Sequence, residues 1–306
     1  MRKKAYLAAL GYSLFIGVSF IIMKTIVDDV SPILLLAHRF TIALIVYSIY
    51  LLFNKRNFHL TLNKFFNILP ITLLYPIFFF ILQIFGIESS SSSEAGIIFA
   101  LVPIITIIIA SILGCRPSKV QIISIVLSVS GVLLIFSNNF VYIGSSYFGT
   151  LLLLLASVSF SLYTLNIKRV LDKVSLPEFM FTILLSGFVI FNIMSLIETG
   201  IYNDYVNYFI SPFKNSEYTL SILYLGVMAS FIATSASNYA LKYLSAPKFS
   251  VFANLSTLIS IATGAIILNE NLTLFHYAGS LLILIGVFGT NFHEKITLYF
   301  LEKFST

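Results

Sequence analysis

The chain has 306 residues, of which 58% are hydrophobic in type and only 10% are charged. A soluble domain carries about 25% charged residues, so this chain cannot cover a water-facing surface and lipid must be its solvent. The net charge of +6 invites a nucleic-acid reading that the placement of the charges excludes, and the single cysteine, Cys115, excludes an internal disulfide.

Apolar runs recur along the whole length. They predict helices over 5–25, 31–53, 64–87, 94–113, 119–137, 146–168, 176–198, 218–241, 245–268 and 273–292. Each is long enough to cross a bilayer core of roughly 30 Å, and none alternates like an outer-membrane barrel strand. The expected fold is an all-α integral membrane protein with ten transmembrane helices. The first run follows Arg2-Lys3-Lys4 and has the shape of a signal peptide. No small-residue cleavage site comes after it and nine more spans do, so a retained helix is expected. The second run contains LLLAHRFTIALIVYSIYLLF, with His38 and Arg39 side by side in otherwise apolar sequence. Pro76 and Pro103 are expected to kink the third and fourth helices. Ser91 and Glu94 match a capping box opening the fourth. Between the seventh and eighth spans lies a longer connection, about 199–217, whose YNDYVNYF suggests a segment resting on the membrane interface. With no Trp in the chain, Tyr must form any aromatic belt.

Lys and Arg divide unevenly between the two sets of helix ends. One set carries fifteen, from Arg2 through Lys64, Arg116, Lys168 and Lys242 to Lys303; the other carries Lys24 and Lys214, with Arg39 inside a span. The positive-inside rule then puts both termini in the cytoplasm, and the basic balance becomes a topology signal.

The chain also resembles itself. At a constant offset of 155, Leu113 meets Leu268, Ser118 meets Thr273, Leu127 meets Leu282 and Gly131-Val132 meets Gly286-Val287. Val18-Ser19-Phe20 is echoed by Val158-Ser159-Phe160. This predicts two repeats, residues 1–143 and 144–306, of five helices each. An odd number of spans per repeat makes the second enter from the opposite side, and inverted repeats of this kind surround the central site of many carriers.

The polar residues inside the spans have bland and functional readings. Lys24, near the outer end of the first span, can snorkel to the surface. Arg39 lies roughly 10 Å below the outer end of the second, where an intramembrane charge usually lines a cavity. There it would hold an anionic group, or pair with Asp28 or Asp29 to gate the outer mouth. His38 points about 100° away and is expected to be a structural hydrogen-bonder. Gln83 and Asn238, again 155 apart, would contact substrate or tie helices together. Asn166, Asn192 and Asn254 read as helix ties, while Tyr75, Tyr163 and Tyr239 could offer hydroxyls to a cavity. Glu88, Glu94, Glu198 and Glu270 all fall at outer ends, so a buried carboxylate for proton coupling is not expected.

The segment GVSFIIMKTIVDDVSPILLLAHRF resembles the opening of EamA-type members of the drug/metabolite transporter superfamily, with Gly17, Ser19, Phe20, Lys24, Pro32 and Arg39 on its pattern. ALVPIITIIIASILGCRPSKVQIISIVLSVSGVLL is similar to the end of that family's first repeat, with Pro103 and Gly131 in place. ILNENLTLFHYAGSLLILIGV is similar to the end of the second, with Glu270 and Gly279. The chain departs from the pattern in two places. Cys115 stands where an acidic residue is usual, and no proline occurs near Leu258, so the ninth helix should be straight. The resemblance implies a secondary transporter of the bacterial cytoplasmic membrane that exports small metabolites, amino acids or related amphipathic compounds, and it places Lys24 and Arg39 in the cavity. A flippase for lipids or lipid-linked sugars, and a non-transporting scaffold, are the alternatives. No HExxH, GxGxxG, Walker A or Cys/His cluster occurs. Neither enzyme activity nor a cofactor or metal is expected. The implied partners are a small-molecule substrate and membrane lipid, not nucleic acid, and a monomer suffices.

Overall fold

The computed structural model describes residues 2–26, 30–54, 58–89, 98–115, 117–136, 147–200, 204–267 and 274–304; at Lys24, Ile87, Glu88, Phe136, Ile261, Ala265, Ile267 and 291–304 it describes the backbone alone. All regular structure in these residues is helical. The elements are α1 (Arg2–Ile26), α2 (Pro32–Phe53), α3 (Leu62–Thr72), α4 (Phe79–Glu88), α5 (Val102–Ile112), α6 (Lys119–Phe136) and α7 (Tyr147–Leu171), followed by α8 (Leu176–Thr199), α9 (Tyr205–Ile210), α10 (Ser216–Tyr224), α11 (Thr234–Tyr243), α12 (Ala246–Ile267) and α13 (Leu274–Phe304). A kink at Leu73–Phe78, where Tyr75 leaves the helical region, joins α3 to α4, and a π-helical stretch, Leu225–Ala233, joins α10 to α11. Among the described residues, six helical stretches are long and apolar enough to cross a membrane: Arg2–Met23, Pro32–Phe53, Leu62–Gly86, Tyr147–Leu171, Leu176–Thr199 and Ser216–Tyr243. Each falls within a few residues of a predicted span. Val102–Ile112, Lys119–Ile135 and Leu274–Thr290 are shorter apolar helices.

Local chemistry sets the boundaries. Ser31 caps α2 by accepting the Leu34 N–H at 3.1 Å, with Pro32 at the first helical position, where its missing N–H costs nothing. Asn215 caps α10 by accepting the Glu217 N–H at 2.9 Å. Pro76 breaks its helix as expected. It follows a cis peptide bond from Tyr75, whose φ of −147° and ψ of 122° are extended. Pro103 does not kink a helix interior. It stands in the first turn of α5, after a turn at Leu101 that separates α5 from helical residues 98–100, and proline is tolerated there because first-turn N–H groups have no intrahelical partner. α12 runs unbroken through Leu258, as the absence of proline there implies. The YNDYVNYF connection forms α9, capped by Asp204, and a 3₁₀ turn, Ser211–Lys214. The predicted capping box at Ser91 and Glu94 lies outside the described residues, as do Asp28, Asp29 and Glu270.

Packing exchanges the two halves of the chain. α1 lies along α11 and α12, while α7 lies along α4 and α5. α2 meets the π-helical stretch, and α8 meets the kink; α2 and α8 pack against each other, and so do α6 and α13. The α6–α13 seam is the closest approach, because a Cβ on Gly131 would sit 2.5 Å from the Gly279 carbonyl oxygen. Small residues at such seams let helix backbones meet where lipid gives no hydrophobic drive to association. The outer faces stay apolar, with Ile123, Phe288 and Leu52 exposed. Hydroxyls and amides tie the interior: Ser13 donates to the Phe252 carbonyl at 2.8 Å, Asn192 donates to Thr41 Oγ1 at 3.0 Å, and Asn254 donates to Ser128 Oγ at 3.0 Å.

Candidate functional site

The kink and the π-helical stretch sit at matching places in the chain. Tyr75 of the first and Ser230 of the second are separated by 155 residues, the offset that aligns the repeats. Both come to Arg39. The Arg39 Nε donates to Ser230 Oγ, the guanidinium carbon lies 5.1 Å from the centre of the Phe80 ring, and Tyr75 is close enough to interact with it electrostatically. A second close approach makes this possible: Gly226, at the start of the π-helical stretch, lets α2 come so near that an added Cβ would stand 3.1 Å from the Arg39 carbonyl oxygen. Paired interruptions in corresponding helices of two repeats mark the substrate site in many carriers.

Arg39 is 6% exposed, so it does not snorkel into a water layer. Its terminal nitrogens make no hydrogen bond to any described residue, yet neither is among the fully enclosed unpaired atoms. The little surface Arg39 keeps is therefore at the guanidinium tip. Tyr12 and Tyr75 behave alike. Tyr12 packs on Phe249 and Tyr75 on Tyr163, both of them enclosed, yet each keeps accessible surface, as the lining of an internal hollow would. The Tyr12 hydroxyl has no hydrogen-bond partner among the described residues, and the Tyr75 hydroxyl reaches only Thr234 Oγ1, at 3.5 Å. Rings build the rest of the wall, since Tyr75 stacks near Phe80 at 5.6 Å and near Phe160 at 5.8 Å between centroids.

The predicted site residues separate into groups. Arg39 and Tyr75 meet at the hollow. Tyr163 stands directly behind Tyr75, 4.9 Å between ring centres, but only 1% exposed. Its hydroxyl donates to Asn238 Oδ1 at 2.5 Å, and Asn238 Nδ2 contacts Met180 Sδ at 2.9 Å. Asn238 is fully buried, so this pair ties α7, α8 and α11 together. Asn166 donates back to the Leu162 carbonyl of its own helix at 2.9 Å. Gln83 is partly buried on α4 and has no hydrogen-bond partner among the described residues. The backbone of Lys24 belongs to α1, and its side chain lies outside the described residues. His38 is the structural group expected of it: Nδ1 pairs with the Tyr218 hydroxyl at 2.6 Å and Nε2 with the Phe209 carbonyl at 2.9 Å, fastening α2 to α9 and α10.

Sequence reading missed Tyr12, Ser230, Phe80 and Thr234. The offset of 155 carries Tyr75 onto Ser230 and could have found the last contact of Arg39; nothing distinguishes Tyr12 or Phe80 among so many rings. The charged cluster at Glu178 was missed as well. Glu178 is 1% exposed. It accepts from Lys64 Nζ at 2.7 Å, the His59 N–H at 3.1 Å and the Ser175 N–H at 2.9 Å. The serine three residues before the glutamate was the available signal.

Comparisons with known proteins agree with this picture. The model of the EamA-like transporter family matches the chain twice, over residues 3–137 and 147–292. An uncharacterized transporter of Bacillus subtilis, YcxC, is 40% identical over 97% of this chain and 96% of its own length. An uncharacterized transporter of Archaeoglobus fulgidus is 27% identical over 90% of this chain and 94% of its own. One solved crystal structure superposes with a TM-score of 0.79 over 96% of this chain and 99% of that chain; at 14% identity it speaks to the fold alone.

Proposed function

Because this chain belongs to the EamA-like transporter family of the drug/metabolite transporter superfamily, we propose that it is a secondary transporter working by alternating access around Arg39. It has ten spans in two inverted halves, residues 1–143 and 144–306. It resides in a bacterial cytoplasmic membrane with both termini in the cytoplasm, and it exports small amphipathic metabolites, amino acids and their relatives among them. The observation that carries this reading is the convergence of two helix interruptions, one from each half, on a single guanidinium.

The mechanism follows from which groups are already satisfied. Two halves that trade conformations open a central site first to one side and then to the other. Such a site must hold its guest without being filled by its own side chains. The tip of Arg39 meets that requirement, because its protein partners are one hydroxyl and one ring face. Backbone freed by the two helix interruptions is tolerated at membrane depth only where it lines a cavity or finds another donor. Ser159 of α7 gives one such donor, to the Leu74 carbonyl at 2.8 Å. On the bonding pattern described here, Gln83 and Tyr75 are available to a guest, whereas Tyr163, Asn166 and Asn238 hold the walls. Lys24 is a further candidate for the outer mouth.

The test is counterflow in proteoliposomes with a panel of amino acids and other small metabolites, comparing the native protein with Arg39→Ala and Arg39→Gln. Saturable counterflow that both variants lose is the expected result. No counterflow of any solute, or undiminished counterflow in both variants, would refute the role assigned to Arg39.

A further inference from the structure

Resting on the carrier reading above, the charge inventory of the hollow narrows its cargo. Arg39 contributes a positive charge, and no carboxylate of the described residues lies within ion-pair distance of it; the described ion pair, Lys64 with Glu178, belongs to another part of the fold. With Nε committed to Ser230, the terminal nitrogens present a planar fork of donors. That geometry matches a carboxylate with two parallel hydrogen bonds, which no neutral acceptor satisfies as well.

The surroundings of the fork decide what else the guest carries. Phe80 lies against the guanidinium, Tyr75 beside it, and Phe160 beyond Tyr75. The polar atoms left over are the hydroxyls of Tyr12 and Tyr75. A guest ammonium group finds no anionic partner among the described residues here, and it sits in the repulsive field of Arg39. In a site of low dielectric an unanswered charge is costly, while a single opposite charge offsets the cost of keeping Arg39 ionised. A flat apolar body finds ring faces to stack against.

We infer that the preferred cargo is an aromatic monocarboxylate without an ammonium group, the anion of an arylalkanoic acid. Its carboxylate is held by the two terminal nitrogens of Arg39, and its ring lies among Phe80, Tyr75 and Phe160. Zwitterionic aromatic amino acids rank below it, and aromatic amines are excluded.

Three solutes of matched shape separate these classes: hydrocinnamate, phenylalanine and phenethylamine. Purified protein is tested for thermal stabilisation by each, followed by circular dichroism, and proteoliposomes are tested for counterflow of tritiated hydrocinnamate against each competitor. Hydrocinnamate should stabilise the protein and compete about tenfold better than phenylalanine, as the gain or loss of one charged contact implies, and phenethylamine should do neither. Arg39→Gln should abolish the ranking, and Arg39→Lys, which keeps the charge but not the fork, should weaken it. Equal or better competition by phenylalanine or phenethylamine overturns the inference and leaves the carrier reading standing. So does counterflow of other solutes that hydrocinnamate neither inhibits nor accompanies. Arg39-dependent stabilisation by hydrocinnamate with no counterflow of any solute supports the assignment of the site and refutes transport. Neither stabilisation nor counterflow by any solute overturns both.

Discussion

Lys64 opens α3 and Arg39 lies seven residues inside α2, and the chain surrounds the two cations in opposite ways. Lys64 keeps 35% of its side-chain surface and still has a carboxylate at 2.7 Å and the His59 carbonyl at 3.2 Å. Its partner, Glu178, is almost completely enclosed and collects backbone N–H groups from Ser175 and His59 besides. Every strong valence in that cluster is used. Arg39, at a depth where an uncompensated charge costs at least ~2.5 kcal/mol, has one hydroxyl and one ring face. A chain able to answer an enclosed carboxylate in full has not done so for its deepest described cation. The difference separates charge that holds the fold together from charge that is kept open for a guest.

The largest expected effect is on the closed cluster. Glu178→Ala removes a helix cap and the partner of Lys64 at once and should lower stability by about 3 kcal/mol. Thermal unfolding of the purified protein checks this, and an unchanged midpoint would erase the contrast. Asn238→Ala comes next. It leaves the enclosed Tyr163 hydroxyl without its acceptor and should cost about 2 kcal/mol of stability, with selectivity among transported solutes unchanged. Arg39→Met should do the reverse of Glu178→Ala: stability is held or rises by about 1 kcal/mol as an unanswered buried charge disappears, while transport is lost. A large fall in the unfolding midpoint of Arg39→Met would show Arg39 to be structural.

Arg39 was visible in the sequence because a charge inside an unbroken apolar run has few explanations. The six membrane-length helices were visible for the same reason, since long runs of aliphatic residues read clearly. Pro76 announced the first helix interruption. The second has no proline and is made of LGVMASFIA, so only its match to the first by the offset of 155 would have exposed it. Tyr12 and Phe80 were hidden by number, in a chain with 17 Tyr and 30 Phe, where ring identity says nothing about which face meets the hollow. Tyr163 and Asn238 were chosen for chemistry that the structure spends on their mutual hydrogen bond. Sequence names the groups that can hydrogen-bond; only packing shows which have already done so.

Smaller effects sharpen the contrast at the open site. Ser230→Ala removes one hydrogen bond to Arg39 and should raise KM by roughly fivefold, about 1 kcal/mol, through looser placement of the fork. Transport kinetics in proteoliposomes would show it, and the same change with a fall in thermal midpoint would assign Ser230 to the scaffold instead. Tyr12→Phe should be the mildest, within about 0.5 kcal/mol in stability, because its hydroxyl has no partner among the described residues to lose.

The central claim is that a hollow with a positive field lies between the two halves at Arg39. The chain has one cysteine, Cys115, and it is exposed, so Cys115→Ser provides a background for placing a single thiol. In that background, Tyr12→Cys should react with water-soluble methanethiosulfonates, faster with the sulfonate-bearing reagent than with the trimethylammonium-bearing one, and Asn238→Cys should not react. Failure of Tyr12→Cys to react with either reagent, or faster reaction with the cationic one, would contradict the account.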